Sequence, residues 1–216
     1  MFIASPETLD LFYIPDNSFE TVVKQIENAK TKELILNVHY AHRMPSISYA
    51  YGLFVNGTLE GVVTFGQPAS PRVCDGIAGK ENAKLVLELN RLVLRSNRKN
   101  DASRLVGQAL RLLPRPKIII SYADTAQNHL GVVYQATNFD YYGLSEIRTD
   151  RVFTDGSKQV HGRHVISTDV ENLHERTKLV QRPRKHRYVQ ILASKTVKKR
   201  IRKQVRYQQQ PYPKGN

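Results

Sequence analysis

The chain has no tryptophan, two methionines and a single cysteine, Cys74. One cysteine excludes an internal disulfide and every Cys-rich zinc site. The His-Glu-x-x-His word of zinc hydrolases is missing, as are the P-loop and the Gly-x-Ser-x-Gly nucleophile elbow. The Asp/Asn-Pro-Pro-Tyr/Phe word of adenine methyltransferases is absent too, which argues against methyl transfer. No apolar run approaches the roughly 18 residues that span a bilayer. The first residues, MFIASPETLDLF, lack the basic and apolar regions of a secretory signal. A soluble cytoplasmic protein without a membrane partner is expected.

Acidic residues are missing from the C-terminal stretch altogether. The last is Glu175, and the 41 residues beyond it hold 14 of the 33 Lys and Arg. Residues 1–175 carry 19 basic and 19 acidic side chains, so the formal charge of +14 lies wholly in 176–216. A neutral body with a basic tail suits a polyanionic partner. Two units are expected: a folded domain over 1–175 that holds the core, and a basic nucleic-acid-binding extension over 176–216. A solvated tail without a specific role is the plain alternative.

Within the body, Ser18 and the apolar positions Val22, Val23 and Ile26 predict a helix over 18–29. Residues 30–50 include the His-rich stretch VHYAHRMPS and read as loop or irregular helix. Asn56-Gly57 between apolar runs predicts a hairpin. PASPRVCDGIAGKE reads as a loop from its Pro and Gly. LVLELNRLVL (85–94) and KIIISYAD (117–124) read as buried strands, joined by a helix, SRLVGQALRLL, capped by Asp101 or Ser103. A helix NHLGVVYQATNF, a strand DYYGLSEIRTD and a last strand KQVHGRHVIS complete a mixed α/β domain. The two buried strands should be parallel neighbours that splay near Leu94 and Ser121.

The helix start Arg104-Leu105-Val106-Gly107-Gln108-Ala109 resembles the acyl-CoA motif of the GNAT acyltransferase family, Arg/Gln-x-x-Gly-x-Gly/Ala. Unpaired N–H groups at a helix N-terminus attract a pyrophosphate, and a glycine lets it approach the backbone. Leu92 and Val93, at the end of the preceding strand, join Arg104, Leu105, Val106, Gly107, Gln108 and Ala109 as candidate cofactor contacts. The plain reading is that Gly107 and Ala109 only allow close helix–sheet packing. Tyr134 sits where that family commonly places a general acid facing the CoA thiol; its plain reading is a core aromatic. Asn138-Phe139 replaces the usual Gly-Phe.

A more specific resemblance is carried by HYAHRMPS (39–46), GVVTFGQPASP (61–71), LELNRLVL (87–94), ASRLVGQAL (102–110), SYADTAQNHLGVVYQATNF (121–139) and PRKHRY (183–188). In that order these words resemble the phage Mom family of DNA adenine-modification proteins. The resemblance implies a GNAT-like mixed sheet flanked by helices. It implies transfer of a carbamoylmethyl (acetamido) group to adenine N6 in double-stranded DNA, protecting phage DNA from restriction in the host cytoplasm. It implies functional roles for His39, Tyr40, Ser103, Asp124 and Tyr134, and it makes His39 a candidate ligand for iron. The donor is acyl-CoA, acetyl-CoA in the first instance, or another activated acyl donor; simple acetyl transfer does not yield an acetamido group.

Adenine N6 is a poor nucleophile because its lone pair is delocalised, so a base and an acid are needed. Asp124 or His39 suits the first role and Tyr134 the second. A paired adenine must be flipped out, with Tyr40, Tyr49 or Tyr51 to stack on it. Arg43, Arg148 and Arg163 are candidates for base choice. Arg184, Lys185 and Arg187 in PRKHRY, with Lys198, Lys199 and Arg200, are candidates for phosphate contact, and Tyr188 is expected to pack. A homodimer is a further partner the sequence leaves open. The alternatives are an ordinary acetyltransferase on a protein or small molecule, with the tail as localiser, and a non-catalytic nucleic-acid-binding protein.

Overall fold

The computed structural model describes residues 20–96, 98–154 and 177–215. At the Asn56-Gly57 turn both residues take positive φ, 48° and 80°, and join β2 (Tyr49–Val55) to β3 (Thr58–Gly66) as the sequence predicts. The segment expected as a helix from Ser18 instead forms β1 (Thr21–Gln25), antiparallel to β2. The run Thr21-Val22-Val23 is β-branched, and the open β2 edge offers it ladder partners. Val23 is buried while Val22 is 43% exposed, the two-residue alternation of a strand.

A 3-10 turn (Asn28–Thr31) and a π-helical turn (Leu34–Val38) precede the hairpin. The stretch expected as a loop after β3 is α1 (Pro71–Asn82), kinked at Gly79. Its Pro71 is at the first helical position, where a missing N–H costs nothing. β4 (Val86–Leu94), α2 (Asp101–Leu112) and β5 (Lys117–Asp124) follow. The cap of α2 is Asn100, in the left-handed region at φ 68°, and neither Asp101 nor Ser103. The expected helix over 128–139 shrinks to α3 (Val132–Ala136), and DYYGLSEIRTD splits into β6 (Asp140–Leu144) and β7 (Arg148–Phe153). β8 (Thr177–Arg182), β9 (Lys185–Leu192) and α4 (Lys195–Arg202) complete the order. The expected strand KQVHGRHVIS lies outside the described residues.

The main sheet runs β1-β2-β3-β4-β5-β9-β6, and β7 and β8 form a separate two-stranded ribbon. β4 and β5 are parallel, as the crossover helix α2 requires. One sheet face packs Leu87, Leu89 and Ile119 against Leu105, Val106 and Ala109 of α2. The other packs Val86, Ile118, Ile120 and Val189 against Ile77 of α1 and Ile201 of α4. This is the mixed, helix-flanked sheet that the sequence implies.

The boundary drawn at Glu175 from charge is not a boundary of the core. β9 lies between β5 and β6, with Tyr188, Val189 and Ile191 buried. Beyond α4 the chain stays packed: Arg206 N–H donates to Gly76 O at 3.0 Å, Gln210 N–H to Tyr141 O at 2.9 Å, and Tyr212 Oη to Phe139 O at 2.7 Å. Among the described residues the basic side chains after Glu175 are at least partly exposed, Arg187 excepted, because β9 and α4 alternate Lys and Arg with apolar residues that the sheet needs.

Candidate active site

The site exists because β4 and β5 part company. Their pairing runs from Val86↔Ile118 to Leu89↔Ser121 and stops, although both strands continue. The β3–β4 register shifts between Phe65↔Leu89 and Thr64↔Arg91, which leaves Asn90 as a bulge. A bulge bends its strand, and here it carries β4 away from β5. Asn90 accepts from Thr64 Oγ1 at 2.6 Å and donates to Ser46 O at 2.8 Å, pinning the bulge and the loop before β2 together. The splay thus begins past Leu89 and Ser121, five residues earlier on β4 than Leu94.

The opening is a cleft of about 470 Å³. Its walls include His39, Tyr40, Glu88, Arg91, Tyr122, His129, Tyr134 and Lys185. It is lined from both sheet faces: Leu89, Val133 and Tyr134 belong to the α2 side, and Tyr122 to the α1 side.

Loop 39–43 is fastened over the cleft by its own polar groups. His39 Nδ1 accepts from Ala41 N–H at 3.0 Å, and His42 Nδ1 contacts Leu36 O at 2.8 Å. Arg91 donates to Arg43 O from Nη2 at 2.9 Å and from Nε at 3.3 Å. Tyr40, 50% exposed, stacks on His39 at 4.4 Å and meets His129 edge-on at 6.2 Å. Burial, with Arg91, His42 and His129 nearby, lowers the His39 pKa to about 4. His39 is therefore neutral at physiological pH.

Tyr134 is held from behind by Phe139 at 5.5 Å and Tyr188 at 5.3 Å. Tyr188 Oη donates to Leu130 O and accepts from Gln135 Nε2 at 3.2 Å. Gly131 has φ 74°, and a Cβ there would sit 2.4 Å from the Tyr188 ring, so only glycine lets the loop fold over Tyr188. Burial raises the Tyr134 pKa, partly offset by the Ser121 hydroxyl. Tyr134 stays a protonated phenol. Glu88 also lines the cleft; burial raises its carboxyl, and Lys185 and Arg91 partly offset this.

The structure brings His39, Tyr40 and Tyr134 together. Asp124 is set back from the cleft walls: its carboxylate accepts from Ala126 N–H at 3.0 Å and pairs with Lys185 Nζ at 3.1 Å. It caps the turn after β5 and positions Lys185. Ser103 is elsewhere, donating to Asn100 O at 3.0 Å and lining a groove between α2 and α3 with Arg104 and Gly107. Of the stacking candidates, Tyr51 is buried against Phe65 at 6.1 Å and Tyr49 packs on the core, which leaves Tyr40.

Among the cofactor candidates, Leu105, Val106 and Ala109 are core residues and Val93 is buried, while Leu92 lines the cleft. Gln108 is partly buried and does not line that groove. At Gly107 a Cβ would meet only Thr137 Cγ2, at 3.8 Å, so protein packing does not demand a glycine there. The start of α2 already holds an anion: the buried Asp101 carboxylate accepts from Arg98 Nε at 2.9 Å and lies 3.5 Å from Arg104 Nη1. The groove fits an anionic donor along Gly107, and less well at the helix tip.

Iron does not fit. Among the described residues no three His, Cys, Asp or Glu side chains gather as a metal site. His39 and His42 each commit Nδ1 to the backbone of their own loop. Among the described residues, too, no helix is long and apolar enough to cross a membrane.

Of the basic candidates, Arg43 is exposed on the cleft loop and Arg148 on β7. Arg184 donates to Ser145 O at 2.6 Å, Arg187 is buried, and Lys185 lines the cleft. Lys198 and Lys199 share a shallow basic groove with Lys195, Arg202 and Lys203; Arg200 is exposed outside it. Arg163 lies outside the described residues. Tyr188 packs, as expected.

Glu88, Arg91 and Tyr122 were not singled out from the sequence. The signal was present for two: Glu88 and Arg91 put charge into a largely apolar strand, and a charge in a buried strand needs a reason.

A mixed, helix-flanked sheet is opened at its parallel pair, with a carboxylate and a phenol on the opening. The chain belongs to the Mom protein family, whose model matches residues 20–214. It is 27% identical to the methylcarbamoylase Mom of Escherichia phage Mu over 216 aligned positions, covering 91% of this chain and 85% of that one. Among solved structures it is similar to an N-acetyltransferase from Staphylococcus aureus Mu50, with TM-score 0.48 and 11% identity over 80% of this chain and 97% of that one. A Bacillus subtilis acetyltransferase in complex with CoA gives TM-score 0.44 and 15% identity over 81% and 99%.

Proposed function

We propose that this chain transfers a carbamoylmethyl group to the exocyclic N6 of adenine in double-stranded DNA, and so shields phage DNA from restriction. The observation that carries the reading is that Glu88 and Tyr134 share one cleft lined from both faces of the sheet. An acceptor can enter from one face and a donor from the other.

The flipped adenine stacks on Tyr40, the exposed ring at the cleft mouth. Glu88 takes the N6 proton as the new N6–C bond forms; burial makes its carboxylate a stronger base than an exposed one. The bond between the transferred carbon and its carrier breaks, and Tyr134 supplies the proton that the leaving group takes up. Neutral His39 holds Tyr40 by stacking. Lys185, fixed by Asp124, offsets the Glu88 charge. An activated donor on an anionic carrier, CoA included, is accommodated along Gly107 and Arg104 between α2 and α3. An acetyl donor would leave N6-acetyladenine, so the acetamido product requires a donor whose methylene carbon is the electrophile.

The basic groove of α4 supplies counterion release without base readout. Lys198→Gln combined with Lys199→Gln should weaken binding alike on duplexes of every sequence. It should lower the slope of log affinity against log salt by about 2. Unchanged affinity and slope would mean that α4 faces away from the DNA. The function itself is tested by restriction. Plasmid from cells expressing the chain should resist endonucleases that recognise adenine in their sites, and full cutting would oppose the reading.

A further inference from the structure

A second pocket, of about 170 Å³, opens beside the cleft and shares Tyr122 and Lys185 with it. Arg148, Arg182 and Arg187 complete its basic lining, with Tyr207 behind Arg187. Such a volume is below the roughly 300–1,000 Å³ of small-molecule sites, so it suits a single small group.

Three of the four cations have a carboxylate of their own. Arg182 is bidentate to Asp150 at 2.8 and 2.5 Å, Lys185 is 3.1 Å from Asp124, and Arg148 is 3.6 Å from Glu146. Arg187 has none among the described residues, although it is 94% buried by the complement of its 6% exposure. Its Nη1 donates to Tyr142 O at 3.3 Å, its guanidinium lies 3.7 Å from the Tyr207 ring centre, and its Nε has no hydrogen-bond partner. A buried cation without a counter-charge costs several kcal/mol. The deficit is one negative charge, at a pocket continuous with the cleft.

We infer that this pocket receives one phosphodiester of the DNA strand carrying the adenine, with Arg187 as its counter-charge. The inference rests on the proposed DNA substrate. A phosphodiester bears one negative charge and matches the deficit of one, whereas a CoA-type carrier bears several. Position agrees: the pocket includes Val73 of α1 and is on the α1 face, opposite the α2–α3 groove assigned to the donor. Tyr122 and Lys185, between pocket and cleft, then set the distance from the held phosphate to the extruded base.

The test is a walk of single uncharged methylphosphonate linkages along a labelled duplex with one adenine, read by fluorescence anisotropy with the full chain. One linkage next to the adenine should weaken binding by about ten- to hundredfold, the range of one charge-assisted contact. The remaining linkages should each cost much less. Arg187→Met should remove that position dependence. Should it fail to fold, Arg148→Ala, at an exposed site, should reduce the penalty at the same linkage. Equal losses at all linkages would overturn the pocket and leave the DNA reading standing. Failure to bind any duplex would overturn both. CoA or pyrophosphate displacing the duplex from the wild type, but not from Arg187→Met, would assign the pocket to the donor and overturn the inference.

Discussion

Glu88→Gln should lower adenine modification by about 10²–10⁴-fold, the usual contribution of a positioned base, while the protein folds and binds DNA as before. The variant keeps the shape of the side chain and loses only its proton affinity. The sign of its effect on stability separates this role from a structural one. Burial raises the Glu88 pKa, so the folded protein holds this proton at a pH where the unfolded chain has released it. The native carboxylate therefore costs stability once pH rises above the ordinary value of about 4.3, and the full cost is present above the raised pKa. Glu88→Gln should match or exceed the wild type in thermal stability at neutral pH. Its advantage should vanish in acid, where both states of the wild type are protonated. The wild-type rate should climb with pH on a limb above the ordinary carboxylate value. A loss of activity accompanied by loss of stability at neutral pH would make Glu88 a structural residue. Tyr134→Phe should show a comparable loss of rate without such a limb shift, because the ring keeps its packing on Phe139 and Tyr188.

Ending the chain at Glu175 should abolish the fold. The truncation removes β9, which hydrogen-bonds β5 over eight residue pairs and β6 on its other edge. It would expose Ile118 and Ile120 on one face and strip Tyr188 from behind Tyr134 on the other. Losing one buried large side chain costs about 2–5 kcal/mol, and Tyr188, Val189 and Ile191 go together, against a typical total stability of 5–15 kcal/mol. Circular dichroism and a thermal melt should show no cooperative transition. A truncated chain melting like the full one would show that residues 1–175 hold a core of their own.

That truncation also shows where the sequence was legible and where it was not. The parallel β4–β5 pair, the crossover α2 and the Asn56-Gly57 hairpin follow from local signals: apolar runs of strand length, a capped apolar periodicity and a turn that needs positive φ. β1 did not, because Val22, Val23 and Ile26 satisfy a helical spacing and only the open β2 edge decides for a strand. α1 did not, because Pro71, Gly76 and Gly79 are breakers in isolation. In the fold Pro71 starts the helix, Gly76 makes room for Tyr207 and Gly79 kinks it. The tail misled most. Charge counts residues without saying which face they occupy, and the apolar positions of KHRYVQIL carry the structural role.

At the site, His39, Tyr40 and Tyr134 were visible as members of family words, and the structure places them in one cleft. Asp124 and Ser103 were visible in the same way; Asp124 caps a turn and pairs with Lys185, while Ser103 bonds the helix start and lines the groove between α2 and α3. Spacing in sequence could not say which of these residues would share a cleft. Glu88 was hidden for the opposite reason: a strand of apolar character was read as core throughout.

Transfer to adenine N6 is read most directly in the product. Nucleosides from DNA of cells expressing the chain, digested and analysed by mass spectrometry, should contain deoxyadenosine bearing a carbamoylmethyl group on N6. That species should be missing when Glu88→Gln or Tyr134→Phe is expressed at equal level. Unmodified deoxyadenosine with the wild-type chain, or an adduct that persists undiminished in both variants, would contradict it.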